Sequence, residues 1–275
     1  MTSGWIDVAE DAWYRRYEPW DVNVGVVRGA DGLCVIDSRG SHRQASELLA
    51  DLAELGGPVR AAVNTHWHFD HTWGNAVLAR AGAELWGHVS LPTTMRRWFD
   101  EVRESLAFAD EASADELSDV ECHPPDHLVD PVEVVDLGDR GVEVRHLGLG
   151  HTDGDTIVTP SSGSVVFAGD LVEQAGPPAY GDDSHPLAWP ETAQRLLDRL
   201  DDADSIVPGH GVAVDASFCA TQQQELSAVA ALLTELHAAG VERGEVLAAG
   251  GDRWPMPPDR LGEAVLAAYR ELDRA

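Results

Sequence analysis

Short apolar, β-branched runs alternate along this chain with stretches of helical period, and Gly- and Asp-rich turns separate them. Val22 to Val27 and Leu33 to Ile36 flank Gly29-Ala30-Asp31-Gly32 and predict an opening hairpin. His42 to Leu55 then sets Leu48, Leu49, Leu52 and Leu55 on one helical face, with Ser41 as its N-cap. Val59 to Asn64 reads as a strand, Ala76 to Ala81 as a short helix and Ala83 to Gly87 as another strand. Residues 89 to 121 are helix-prone and acidic, and Pro124, Pro125 and Pro131 separate them from the next strands. The layout then repeats. Val132 to Leu137, Val142 to Leu147, Ile157 to Thr159 and Val165 to Ala168 predict strands, Glu191 to Leu200 a helix, and Ser205 to Val207 a last strand. Beyond His210 the pattern turns helical over Asp215 to Ala239 and Arg260 to Arg274, joined through Trp254-Pro255-Met256-Pro257-Pro258. Two β-rich halves with helices between their strands predict an α/β fold of packed sheets covered by helices. Residues 1–213 form its body and 214–275 a C-terminal helical extension, whose apolar faces require burial on that body or in a homodimer contact.

Composition narrows the partners. At 275 residues and 44% hydrophobic content the chain can bury the core of a single α/β domain. Asp and Glu number 48 against 19 basic residues, all of them Arg, for a formal charge of −29. A GC-rich coding sequence explains the Arg usage, and a salt-adapted host is a second source of the acidity. Such a surface repels phosphate backbones and anionic lipid, so nucleic acid and membrane are excluded as partners and a small-molecule substrate is expected. Met1 to Ala12 has neither a basic start nor an apolar core, and no stretch is long enough to span a bilayer. Cys34, Cys122 and Cys219 are scattered and make no disulfide framework, so the expected compartment is the cytoplasm.

The candidate chemistry begins at His66-Trp67-His68-Phe69-Asp70-His71. A cluster of His and Asp at a strand-to-helix turn costs solvation unless a cation pairs with it. His66 and His68, two apart on extended backbone, point to the same side, whereas Asp70 and His71 continue into the turn, so the motif can serve two ions. Three further fragments each set one His or Asp just after an apolar strand in a Gly-rich turn: Gly150-His151-Thr152-Asp153-Gly154-Asp155, Phe167-Ala168-Gly169-Asp170-Leu171 and Pro208-Gly209-His210-Gly211.

Together with Asp37, which closes the strand Leu33 to Ile36, these motifs span residues 37 to 211 in the order of the metallo-β-lactamase-fold hydrolases, which the chain resembles. The resemblance implies a four-layer αββα sandwich with metals at the edge where the sheets meet. It implies that His66, His68 and His151 bind one metal, that Asp70, His71 and His210 bind the second, and that Asp170 bridges them. Zinc suits these donors, two ions per chain, with iron or manganese as alternatives. The chemistry so implied is hydrolysis by a metal-activated hydroxide, with Asp70 or a water protonating the leaving group. Asp37 and Asp155 are candidates to orient ligand imidazoles, turn capping being the other role open to each. True di-zinc β-lactamases carry Cys where Asp170 stands, so the resemblance points to the glyoxalase II-like and quinoprotein-relay-like branches. Glu173 occupies the place where acyl-homoserine lactonases usually have Tyr. The alternatives are an iron persulfide dioxygenase on the same fold and a metal-bound module without turnover.

Several residues near these motifs have two readings. Trp67 and Trp73 line a substrate pocket or wedge the turn against the core, and Met95, Trp98, Phe99 and Phe108 form an apolar lid or pack inward. His185, on the loop after Asp170, donates to substrate or lies on the surface. Arg39 and His42, just after the first motif, are weaker candidates for substrate contact.

Overall fold

In the computed structural model, which describes residues 4–109, 111–201 and 204–274, two β-rich halves follow one another. The first comprises β1 (Ile6–Ala9), β2 (Ala12–Tyr17), β3 (Val22–Gly29), β4 (Gly32–Ile36), α1 (His42–Leu52), β5 (Val59–Val63), α2 (Phe69–Thr72), α3 (Asn75–Arg80), β6 (Glu84–His88), α4 (Leu91–Ala109), α5 (Glu111–Glu116) and β7 (His127–Val129). The second comprises β8 (Val132–Asp136), β9 (Gly141–His146), β10 (Thr156–Pro160), β11 (Val165–Glu173), α6 (Trp189–Leu197) and β12 (Ser205–His210). Then come α7 (Ala216–Ala238), α8 (Val246–Gly250) and α9 (Gly262–Leu272). Strands pair in the order β1 to β7 in the first half and β12-β11-β10-β9-β8 in the second, and the halves join where His210 pairs with Val22. The β4, β5, β6 and β7 run is parallel, as is β11 with β12, so each of these pairs needs a crossover, and the intervening helices supply it.

Period-two alternation divides the central strands between an inner and an outer core. Cys34, Ile36, Ala61 and Val63 face Val144, Val158, Phe167 and Val207 across the gap between the halves. The opposite side of the first sheet, with Val24, Val26, Leu33 and Val35, is covered by Leu48 and Leu52 of α1 and Leu78 of α3. On the far side of the second sheet, Ile157, Val166 and Ala168 pack with Trp189 and Leu196 of α6, Leu226 and Val229 of α7 and Ala268 of α9. Helix, sheet, sheet and helix are thus four layers, as the resemblance implied. The C-terminal helices share one core with β11 and α6, and Trp254 and Met256 of the proline-rich joint are buried in it.

Ser41 caps α1 as expected, its hydroxyl accepting from the Gln44 N–H, and the helix ends at Leu52 rather than Leu55. The hairpin β1–β2 and the short β7 lack a sequence signal, because charged residues interrupt β2 (Ala-Trp-Tyr-Arg-Arg-Tyr) and β7 has only three residues. The largest difference lies in β11 and β12, which run on through Asp170 and His210 where turns were expected. Gly169 adopts φ +53°, and the β11·β12 register breaks there, so the ladder survives a kink that a side chain would resist. No helix among the described residues is long and apolar enough to cross a membrane.

Candidate metal centre

The end of β5 delivers the His66–His71 turn to one rim of the sandwich. Asp37, at φ +69° just past β4, accepts from the Thr65 backbone N–H and hydroxyl, both at 2.8 Å, and so ties the first two motifs together. The His71 carbonyl accepts from the Ser38 N–H at 2.9 Å and from Asn64 Nδ2 at 3.1 Å, which fixes the turn from beneath. From the second half, the 151–155 loop, β11 and β12 bring His151, Asp170 and His210 to the same rim.

Two groups of donors result. His66, His68, His151 and Asp170 each place one ligand atom within 4.8 Å of the others, and Asp70, His71 and His210 do the same. Asp170 stands between them: its Oδ2 lies 3.4 Å from His151 Nε2 and 3.5 Å from His210 Nε2, and its Oδ1 3.3 Å from His71 Nε2.

The surrounding hydrogen bonds assign every tautomer in the cluster. His71 Nδ1 donates to Asp37 at 2.8 Å, His68 Nε2 to Asp183 at 3.2 Å, His151 Nδ1 to the Ala179 carbonyl at 2.9 Å and His210 Nδ1 to the Trp20 carbonyl at 3.0 Å. The Thr65 hydroxyl gives its proton to Asp37 and therefore accepts from His66 Nδ1 at 3.2 Å. Each imidazole thus spends its N–H outward and aims a lone pair inward. His151 Nε2 and His68 Nδ1 meet at 2.9 Å, and His71 Nε2 and His210 Nε2 at 3.4 Å. Facing lone pairs repel unless a cation lies between them. His66 Nε2 and Asp170 Oδ1 are buried with no hydrogen-bond partner among the described residues. Imidazole and carboxylate donors held in this way fit a resident dication.

Without a cation, protons take its place unevenly. Burial opposes the charged form of His210, yet Asp170 and Asp70 outweigh it and push the imidazole up to about 11. His71 rises to about 9 against the same burial, through Asp170, Asp70 and Asp37. Burial drives His66 well below its ordinary value and His151 down to about 4. Burial would raise Asp170, but His210, His71 and His66 hold it well below the carboxylate range.

The other candidate residues divide. Asp37 sits on an imidazole, as expected. Asp155 caps its own loop instead, accepting from the Thr152 N–H at 2.9 Å and hydroxyl at 2.7 Å, and a backbone carbonyl orients His151 in its stead. Trp67 is buried against Leu91 and Met95 and donates to Asp183 at 2.7 Å, while Trp73 is buried against Leu117 and Val120 with Phe99 packed on its cluster. Both tryptophans therefore bind the metal turn to α4 and to the segment that follows α5. Phe108, by contrast, is 95% exposed. His185 pairs with Glu271 of α9 at 3.1 Å, in a groove that also includes Trp67, Asp183 and Arg270. Arg39 and His42 are buried; Arg39 is engaged by the Gln44 and Glu18 carbonyls and by Glu47.

Sequence reasoning missed Asp183, Thr65 and the carbonyls of Trp20 and Ala179. Asp183 lies 115 residues from the imidazole it receives, in an acidic loop without a motif, and backbone acceptors carry no side-chain signature.

Residues 17–210 match the profile of the Metallo-beta-lactamase superfamily. The Metallo-beta-lactamase type 2 of Bacteroides fragilis is 22% identical over 159 residues, 57% of this chain and 55% of that protein, so the match spans little more than half of that relative. The Acyl-coenzyme A thioesterase MBLAC2 of Gallus gallus is 27% identical over 215 residues, 71% of this chain and 75% of that protein. Among solved structures, a metallo-beta-lactamase from Pontibacter korlensis superposes with a TM-score of 0.62 at 24% identity, over 81% of this chain and 98% of that one. The DIM-1 metallo-beta-lactamase gives 0.64 at 21%, over 81% and 96%. These structures share the fold, and the profile covers most of the chain together with every motif from Asp37 to His210, so the chain belongs to the Metallo-beta-lactamase superfamily.

Proposed function

We propose that this chain hydrolyses a carbonyl-centred bond of a small molecule, whether ester, thioester, lactone or amide, at a binuclear zinc site. The observation that carries the reading is the set of five tautomer-fixed imidazoles aimed into two groups with Asp170 between them. His66, His68 and His151 would hold one ion and Asp70, His71 and His210 the other. Bound dications supply a water acidified to a pKa of about 7 and polarisation of the scissile carbonyl.

The chain's own residues do the rest. Asp37, Asp183 and the two backbone carbonyls keep the imidazoles in one tautomer and orientation. Asp70, in the second group and 9% exposed, would pass a proton to the leaving group. A groove of about 520 Å³, lined by Trp20, Glu173, Tyr180, His210 and Arg260, opens beside that group and gives a small substrate its approach. The thioesterase name of the Gallus gallus relative favours a thioester among the candidate bonds. An Asp at position 170, where di-zinc β-lactamases carry Cys, disfavours a β-lactam.

The test is metal content of the purified protein by mass spectrometry, beside turnover of an ester, thioester, lactone and chromogenic β-lactam panel, with His68→Ala as control. About two zinc per chain, with turnover lost in the variant, is expected. One iron per chain, no hydrolysis and oxygen uptake on a persulfide would overturn the hydrolase reading.

A further inference from the structure

We propose that Glu173 is an additional donor of the second metal group, which makes it an oxygen-rich site for a harder dication such as manganese while the first group keeps zinc. This rests on the binuclear reading above and refines it.

Three residues apart on a regular strand, Asp170 and Glu173 would face opposite sides of the sheet. The β11·β12 register breaks between Gly169 and Glu173, and this irregularity brings both carboxylates to one side. Glu173 lies directly opposite His210 in the ladder, and Asp170, Glu173 and His210 each offer one ligand atom within 4.8 Å of the others. Glu173 is only 6% exposed. Its Oε1 accepts from the Ala175 N–H at 3.1 Å. Its backbone is held separately, the N–H donating to Gln222 Oε1 at 3.0 Å. A carboxylate so little exposed costs solvation, and a cation beside His210 removes that cost.

The two groups then differ in chemistry. His66, His68, His151 and Asp170 offer three imidazoles and one carboxylate, a set that suits zinc. Around His210 two groups overlap, Asp70 with His71 and Asp170 with Glu173, so Glu173 adds a carboxylate beside Asp170, and oxygen donors shift preference toward manganese-like ions.

The experiment loads metal-free protein with one equivalent of zinc, then titrates manganese and follows free Mn(II) by electron paramagnetic resonance. The wild type is expected to take up one manganese on top of one zinc. Glu173→Gln, which keeps an oxygen acceptor for Ala175, is expected to weaken manganese at least about 10-fold and to bind its first zinc unchanged, which also reports an intact fold. Glu173→Asp keeps the charge but shortens the reach, and manganese binding as weak as in the Gln variant separates ligation from long-range attraction. Manganese affinity in Glu173→Gln equal to the wild type overturns the assignment of Glu173 and leaves the binuclear reading standing. A wild type that binds no metal stoichiometrically overturns both.

Discussion

At the scale of single residues, orientation of the imidazoles matters as much as their presence. Asp183 receives His68 Nε2 and Trp67 Nε1 on one oxygen, and its carboxyl is held down at about 2 by His68 and His151 although burial opposes this. Asp183→Asn keeps an acceptor oxygen but removes the charge that polarises the His68 imidazole, and is expected to lower metal affinity by about 10–100-fold in a chelator competition while the fold persists. The protonation pattern gives a second prediction. His71 (about 9), His210 (about 11), Asp155 (about 8) and Glu173 (about 8) all titrate higher in the folded, metal-free chain than in the unfolded one. Between roughly pH 6.5 and 9 the folded chain therefore retains protons that the unfolded chain sheds, and its stability falls as pH rises. Melting temperatures of chelator-treated protein across that range should drop, and a flat or rising profile would contradict the assignment. The candidate ligands themselves were legible, because His and Asp clustered after apolar strands rarely arise from packing alone. The groups that orient them were not: a backbone carbonyl such as that of Ala179 looks like any other, and Asp155 resembled an imidazole partner while capping its own loop.

At the scale of elements, two strands carry the join between the halves. Gly209 of β12 approaches Asp170 so closely that a Cβ there would lie 1.8 Å from Oδ1 and 3.0 Å from the Gly169 backbone carbon. Gly209→Ala must push the shared carboxylate or the strand aside. It is expected to cost about 1–3 kcal/mol of stability and to remove tight binding of the second metal equivalent, read by calorimetric titration and thermal melts. Wild-type binding in that variant would show that Asp170 is not confined as described. Pro208-Gly209-His210-Gly211 announced a turn by composition, and the chain carries the strand through His210, because pairing with β11 and of His210 with Val22 outweighs local preference. In α4 the helical prediction held, yet Met95 and Phe99 serve Trp67 and Trp73 while Phe108 stands in solvent, a division that periodicity alone does not make.

At the scale of the whole molecule, a formal charge of −29 acts on every state of the chain. Surface ion pairs such as Arg80 with Glu121 offset little of it, since exposed pairs are worth roughly 0–1 kcal/mol. Self-repulsion should be screened by salt, so the melting temperature is expected to rise as ionic strength goes from about 0.01 M to about 1 M and the screening length shrinks from roughly 30 Å to 3 Å. A melting temperature that does not move with sodium chloride would count against a repulsive surface. Local pattern was enough to predict an α/β fold of packed sheets and to single out the seven metal-ligand candidates, because strand and helix periods, and rare clusters of His and Asp, are properties of short segments; the four-layer order came from the family resemblance. Long-range packing established which donors face one another, that Glu173 joins Asp170 and His210, that Asp183 reaches His68 across 115 residues, and that α7 and α9 complete the core beneath β11. Those relations depend on register and on the contact of segments distant in the chain, and no window of sequence contains them.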